Sequence, residues 1–217
     1  MGWRFEAELW RQLPMWMSWK HRKSDYPSKL TFEQKVEVFY EQTLGWQLHI
    51  ADLVANGGTT FGESNPVQTG YEVRSIRHSG FAVLHICLSY FELIGTLLTS
   101  KAARLSDTAK FKAGVKAVLP NLFSGTSDDD ALLKVLYKGA RCGLYHLGRP
   151  RAYVGLGQPR DGGSIAYDSK SGTVIVSPER LPVALKKHLD VFKADLLNAA
   201  NTALRSEFEK SFDDGFE

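Results

Sequence analysis

Cysteine is scarce: Cys87 and Cys142 are the only two in 217 residues. Neither sits in a CxxC pair or a Cys/His finger spacing, which argues against a structural zinc site and a disulfide scaffold and suits a reducing cytoplasm. Net charge is small as well, since 27 Lys and Arg stand against 24 Asp and Glu. Bulk charge of that size reports on solubility and does not identify a nucleic-acid binder. The opening "MGWRFEAELW" lacks the unbroken apolar run of a secretory leader, because Glu6 and Glu8 interrupt it, and Glu6 also occupies the hydroxyl position of a myristoylation motif. No apolar run is expected to reach the roughly 20 residues of a membrane span. The glycines of "NGGTTFGESNPVQTG" are not followed by the Gly-Lys-Ser/Thr of a P-loop, so this stretch reads as a surface connection. No internal repeat is present. What remains is a cytoplasmic, soluble chain without a membrane partner, 43% apolar and long enough for one substantial core.

Helical periodicity dominates what is there. Residues 1–30 form an aromatic and basic N-terminal arm, with Trp3, Trp10, Trp16 and Trp19 among Arg11, Lys20, Arg22 and Lys23. Such an arm suits either an interfacial amphipathic segment or, since Pro14 interrupts any long helix, a strap packed across the domain or a partner subunit. Thr31 with Gln34 resembles a capping box, and Val36, Phe39, Tyr40, Leu44, Leu48 and Leu53 follow at helical spacing to Ala55. From Ile76 comes the most apolar segment, expected to be a central helix burying Phe81, Leu84, Leu88, Phe91 and Leu98. "DTAKFKAGVKAVLP" predicts a helix stopped by Pro120. "SDDDALLKVLYKGARCGLYHLG" places three aspartates at the positive end of another, which closes at Gly148. "AYVGL", "SIAYD" and "TVIVS" read as short strands, the last two joined by "SKSG" into a hairpin. A final helix carries Leu181, Leu185, Leu189, Phe192, Leu196, Leu197, Ala200 and Leu204. The expected fold is mainly α, a bundle of about five helices with a small β-hairpin insertion near residues 152–176. One domain spans 31–212, followed by a tail, 213–217.

Charge is uneven locally. Residues 131–160 hold Lys134, Lys138, Arg141, Arg149, Arg151 and Arg160 and no acidic side chain. An acid-free stretch of this length is what steering toward phosphate calls for, although a plain solvated face is the simpler use of such cations. Arg141 and His146 stand out within it. On a regular α-helix, positions five apart diverge by about 140°. Both side chains reach one cleft only if the backbone leaves helical geometry, and Cys142, Gly143 and Gly148 are where it most easily does. An imidazole there can take the proton of a ribose 2′-hydroxyl while a guanidinium grips phosphate oxygens. Together they fit metal-free RNA transesterification leaving a 2′,3′-cyclic phosphate and a 5′-hydroxyl.

"RCGLYH" at the end of an apolar helix, in a chain of this helix order, resembles the R-x4-6-H motif of the HEPN superfamily. The resemblance implies a helical bundle, commonly a homodimer with the motifs of both copies facing one cleft. It also implies metal-independent ribonuclease activity, a role in toxin and antitoxin pairs, defence or RNA processing, and an antitoxin or nucleotidyltransferase partner. Arg141 would stabilise the phosphate and His146 would act as general base. Relatives often carry a polar residue after the arginine, where this chain has Cys142, so a silent member binding RNA, a nucleotide or a protein stands as the alternative.

Supporting roles fall to Glu92, whose carboxylate inside "SYFELIG" needs a partner and finds an attractive one in Arg141, and to Tyr145; Tyr145 and Tyr153 are both suited to stacking on bases, although burial in a helical core is the commoner use of tyrosine. Lys134, Lys138, Arg149 and Arg151 are the candidate RNA-binding residues. Each also has a plainer use: Arg141 can pair elsewhere and His146 can cap a helix end. His78 and His85 lack a third ligand at a recognisable spacing, so neither metal nor cofactor is expected.

Overall fold

A computed structural model describes residues 17–26, 29–61, 70–99 and 105–216. The fold is mainly α, a helical bundle with two small sheets. Helix α1, Phe32–Thr43, begins at the expected capping box, the Thr31 hydroxyl accepting from the Gln34 N–H and the Gln34 side chain accepting from the Thr31 N–H. It continues through a π-helical turn, Leu44–Leu48, into α2, His49–Asn56, so the periodicity from Val36 to Leu53 serves one long element with a single re-phased turn.

The apolar segment forms α3, Gly80–Leu98, the axis of the bundle. It is 19 residues long with one charged side chain, Glu92, so by length and composition it passes the test for a membrane span that no segment was expected to meet. Its buried positions, among them Leu84, Leu88, Phe91 and Ile94, pack against the other helices. Phe81 and Leu98, assigned to the buried side, lie 44% and 37% exposed at the two ends of the helix. Helix α4, Asp107–Val118, is capped by Ser106 and ends before Pro120. It meets α3 with backbones in contact: a Cβ on Gly95 would fall 1.8 Å from the Lys110 carbonyl oxygen, and one on Gly114 1.7 Å from that of Phe91.

Next come α5, Asp128–Lys134, a π-helical segment Val135–Arg141, and α6, Cys142–Leu147. Two two-residue strands, β1 Gly58–Thr59 and β2 Glu72–Val73, pair antiparallel at the edges of what the sequence presents as a loop. β3, Val154–Leu156, β4, Ile165–Asp168, and β5, Thr173–Val176, form a sheet ordered β3-β5-β4. The β4–β5 hairpin is the expected one, and β3 lies parallel to β5 on its other side. The predicted last helix is two, α7 Arg180–Leu197 and α8 Thr202–Phe216. The break follows from asparagine chemistry: Asn198 accepts from the Ala200 N–H, and Asn201 donates to the Asp195 carbonyl, so side chains replace helical bonds. Because α8 runs to Phe216, it takes in most of the predicted tail, and Asp213 pairs with buried Lys35 at 2.8 Å.

Residues 17–26 lie across the bundle as a strap. Trp19 stacks on Phe61 at 4.3 Å over Gly45, where a Cβ would meet the Trp19 ring at 2.0 Å. Buried Glu41 accepts a hydrogen bond from the Ser18 hydroxyl and lies 3.6 Å from both Lys20 and His21. Trp3, Trp10 and Trp16 lie outside the described residues.

Inside the bundle the Tyr90 hydroxyl and the His188 Nδ1 are 2.8 Å apart, and burial holds the imidazole below its ordinary pKa. The fold thus favours the neutral ring. Its contribution is complete above the unfolded value near 6.5 and is lost as pH falls through the lower folded value. Thermal unfolding followed from about pH 7.5 to about pH 5 is expected to show falling stability. His188→Gln, which keeps an acceptor for Tyr90, should remove part of that slope, the remainder belonging in part to His49, which burial also lowers.

Candidate nucleic-acid interface

The basic stretch is carried by one continuous helical run, Asp128 to Leu147. Of the expected departures from α geometry, the one at Gly148 is present and the turn at Gly143 is not. The chain widens earlier, into a π-helical segment in which the Cys142 N–H donates to the Tyr137 carbonyl, and resumes α geometry until Gly148, left-handed at φ 65°. Gly143 is used for close approach: a Cβ there would lie 2.8 Å from the Arg149 carbonyl oxygen, because the segment 149–151 folds back on the helix. The Arg151 N–H donates to the Gly139 carbonyl at 2.9 Å and fastens that return.

Two stripes of residues at intervals of four run along this helix, and neighbours so spaced share a face. Tyr137, Arg141 and Tyr145 form one. Arg141 donates from Nε at 3.1 Å and from Nη2 at 2.8 Å to Glu92 Oε2, the partner expected from sequence. The guanidinium lies 4.1 Å from the centre of the Tyr145 ring and 5.9 Å from that of Tyr137. Burial disfavours its charge, but the Glu92 hydrogen bonds and carboxylate more than offset this, so its pKa stands above the ordinary arginine value. Tyr145 also stacks on His85, ring centres 4.5 Å apart, so its ring is already engaged by two neighbours. With side chains 15% and 24% exposed, the Arg141–Glu92 pair ties the π segment to α3. Glu92→Ala is expected to lower stability by roughly 1–3 kcal/mol, a range set by charged hydrogen bonds shielded from water; urea unfolding measures it.

Lys134, Lys138, Cys142 and His146 form the other stripe, exposed except for half-buried Cys142. His146 has no hydrogen bond, ion pair or ring contact among the described residues. Within the α-helical turn that holds it, it stands about 140° from Arg141. The structure therefore brings Arg141 together with Glu92 and Tyr145 and sets His146 apart, on the lysine side.

Lys134, Lys138, Arg149 and Arg151 are exposed, and among the described residues none makes an ion pair. Three of them, Lys134, Lys138 and Arg151, converge with Tyr153, Tyr167 and Ser171 on a groove of ≈ 380 Å³ between the helix and the β4–β5 hairpin. Among the described residues no carboxylate lines it. The nearby Asp168 carboxylate is engaged with the Ser171 hydroxyl at 2.7 Å and the Lys170 N–H at 3.1 Å, which holds its pKa below the usual value. Tyr167 and Ser171 escaped the sequence reading, which took them as hairpin scaffold; their nearness to the lysines depends on how the hairpin docks. His85, weighed from sequence only as a metal ligand, is set on Tyr145 by the tertiary fold. A second cleft, ≈ 590 Å³, opens at the start of α3 beside Arg77, His78 and Phe81. Among the described residues no three His, Cys, Asp or Glu side chains gather to hold a metal ion. Comparison of the chain with family models, with curated proteins and with solved structures finds no match.

Proposed function

We propose that this chain is an RNA-acting protein of HEPN-like type whose primary act is to bind single-stranded RNA. The observation that carries the reading is the availability of charge: Lys134, Lys138, Arg149 and Arg151 stand exposed on an acid-free stretch and make no ion pair among the described residues, while Arg141 is held by Glu92. Unpaired cations on one side of a fold attract a polyphosphate and release its counterions on binding. Tyrosines among them favour a strand with accessible bases over a duplex.

A second reading, metal-independent cleavage, is favoured by His146, an exposed imidazole continuing the lysine stripe. It can accept the 2′-hydroxyl proton with a neighbouring cation holding the phosphate. Arg141 and His146 stand about 140° apart around the helix, which favours a second copy facing the first for the Arg–His form of this chemistry. Incubation of a labelled single-stranded RNA with the protein in EDTA, with analysis of bound RNA and of fragment ends, separates the two. Retarded but intact RNA supports binding alone. Cyclic phosphate ends that vanish in His146→Ala support cleavage. RNA neither retarded nor cut contradicts both.

A further inference from the structure

Resting on the RNA-binding reading, we infer that the groove between the Lys134–Lys138 stripe and the β4–β5 hairpin is a nucleotide subsite: Lys134, Lys138 and Arg151 take a phosphate, and Tyr153 and Tyr167 take the base. Several independent features assemble it. Lys134 and Lys138, four apart, point out from the same side of the helical run. Arg151 is delivered to them by the bond from its N–H to the Gly139 carbonyl and by the fold-back against Gly143. One residue of β5 fixes both tyrosines: the Val174 N–H donates to the Tyr153 carbonyl at 2.9 Å, and Val174 is the cross-strand partner of Tyr167. Tyr153 keeps 61% of its surface exposed.

The chemistry of the lining selects the ligand. A groove of ≈ 380 Å³ lies within the range of small-molecule sites, and one nucleotide unit suits it. Cations alone accept any polyanion, an acidic peptide included. Two tyrosines beside them add surfaces that a base fills and a carboxylate does not. The Ser171 hydroxyl adds a hydrogen-bonding group at the hairpin end. Its bond to Asp168 at 2.7 Å leaves its oxygen lone pairs able to accept.

Fluorescence anisotropy of a labelled ten-residue oligouridylate tests the inference with the full chain. Thermal unfolding of each variant verifies that it folds. Tyr153→Ala is expected to weaken binding about 10-fold, in line with loss of one base stack. Lys138→Gln and Arg151→Gln should each weaken it several-fold in about 0.1 M salt. Lys187→Gln, an exposed lysine on α7, should bind within about two-fold of the unaltered protein. Tight binding by the unaltered chain with Tyr153→Ala, Lys138→Gln and Arg151→Gln all unchanged overturns the groove and leaves the RNA reading standing. No binding by the unaltered chain overturns both. Competition identifies the ligand: displacement by uridine monophosphate as effective as by unlabelled oligomer assigns the groove to free nucleotides and contradicts the RNA reading, and displacement by polyglutamate at matched charge overturns base recognition.

Discussion

Gly114→Val is expected to lower the unfolding midpoint by more than about 6 °C. Helices α3 and α4 touch through backbone at Gly95 and Gly114, and a Cβ at either would lie within 2 Å of a carbonyl oxygen of the other helix. Neither oxygen can swing away, since each belongs to a helix. Relief requires the helices to part, and parting them opens the packing around buried Phe91, Phe111 and Val115. Overpacking of this kind costs about 3 kcal/mol or more where the surroundings are rigid, and each kcal/mol moves the midpoint by roughly 2–4 °C in a protein of this size. Helix propensity acts the other way, but a residue other than glycine gains at most about 1 kcal/mol in a helix interior, which does not offset the clash. Gly157→Ala supplies the contrast, because its nearest neighbour would be an ordinary 3.8 Å contact. Differential scanning calorimetry of both variants checks the expectation.

The second large effect concerns charge. A variant with Lys134, Lys138, Arg149 and Arg151 all changed to glutamine is expected to fold normally and to bind single-stranded RNA at least about 100-fold more weakly at low salt. Folding survives because all four side chains are exposed and none makes an ion pair among the described residues; surface changes of that type usually stay within about 0.5 kcal/mol each. Binding does not survive because each cation on a phosphate of a single strand contributes roughly 0.7 to the slope of log affinity against log salt. The unaltered chain should therefore lose affinity steeply between about 50 and 200 mM salt, and the quadruple variant should show a slope near zero. Equal slopes would mean the strand lies elsewhere.

The fold was legible where one physical rule governs one segment. The Thr31–Gln34 box, the stop before Pro120 and the β4–β5 hairpin follow from local chemistry. The apolar run of α3 announced the bundle's axis, although Phe81 and Leu98 at its two ends are exposed. The split between α7 and α8 is written in Asn198 and Asn201, whose backbone-bonding habit outweighs a leucine pattern that carries on past them. Part of the site was equally legible. Glu92, a lone acid in an apolar helix, needed a cation and has Arg141. Gly143 misled because glycine permits both bends and close approaches, and only the path of residues 149–151 shows which of the two the fold uses. The π-helical segment leaves no mark in composition, yet it sets the phase of every side chain after it, His146 included.

Two adjacent stripes of one helix divide the labour in the proposed function: Arg141 is a strut, and the exposed lysines, without an ion pair among the described residues, are the RNA contact. Arg141→Gln and Lys138→Gln, compared side by side for unfolding midpoint and for affinity toward the same oligouridylate, test it most directly. The account predicts that Arg141→Gln unfolds several degrees earlier with affinity within about two-fold of the unaltered chain, and that Lys138→Gln keeps its midpoint and binds several-fold more weakly. An Arg141→Gln variant that is fully stable and has lost its RNA affinity would contradict it.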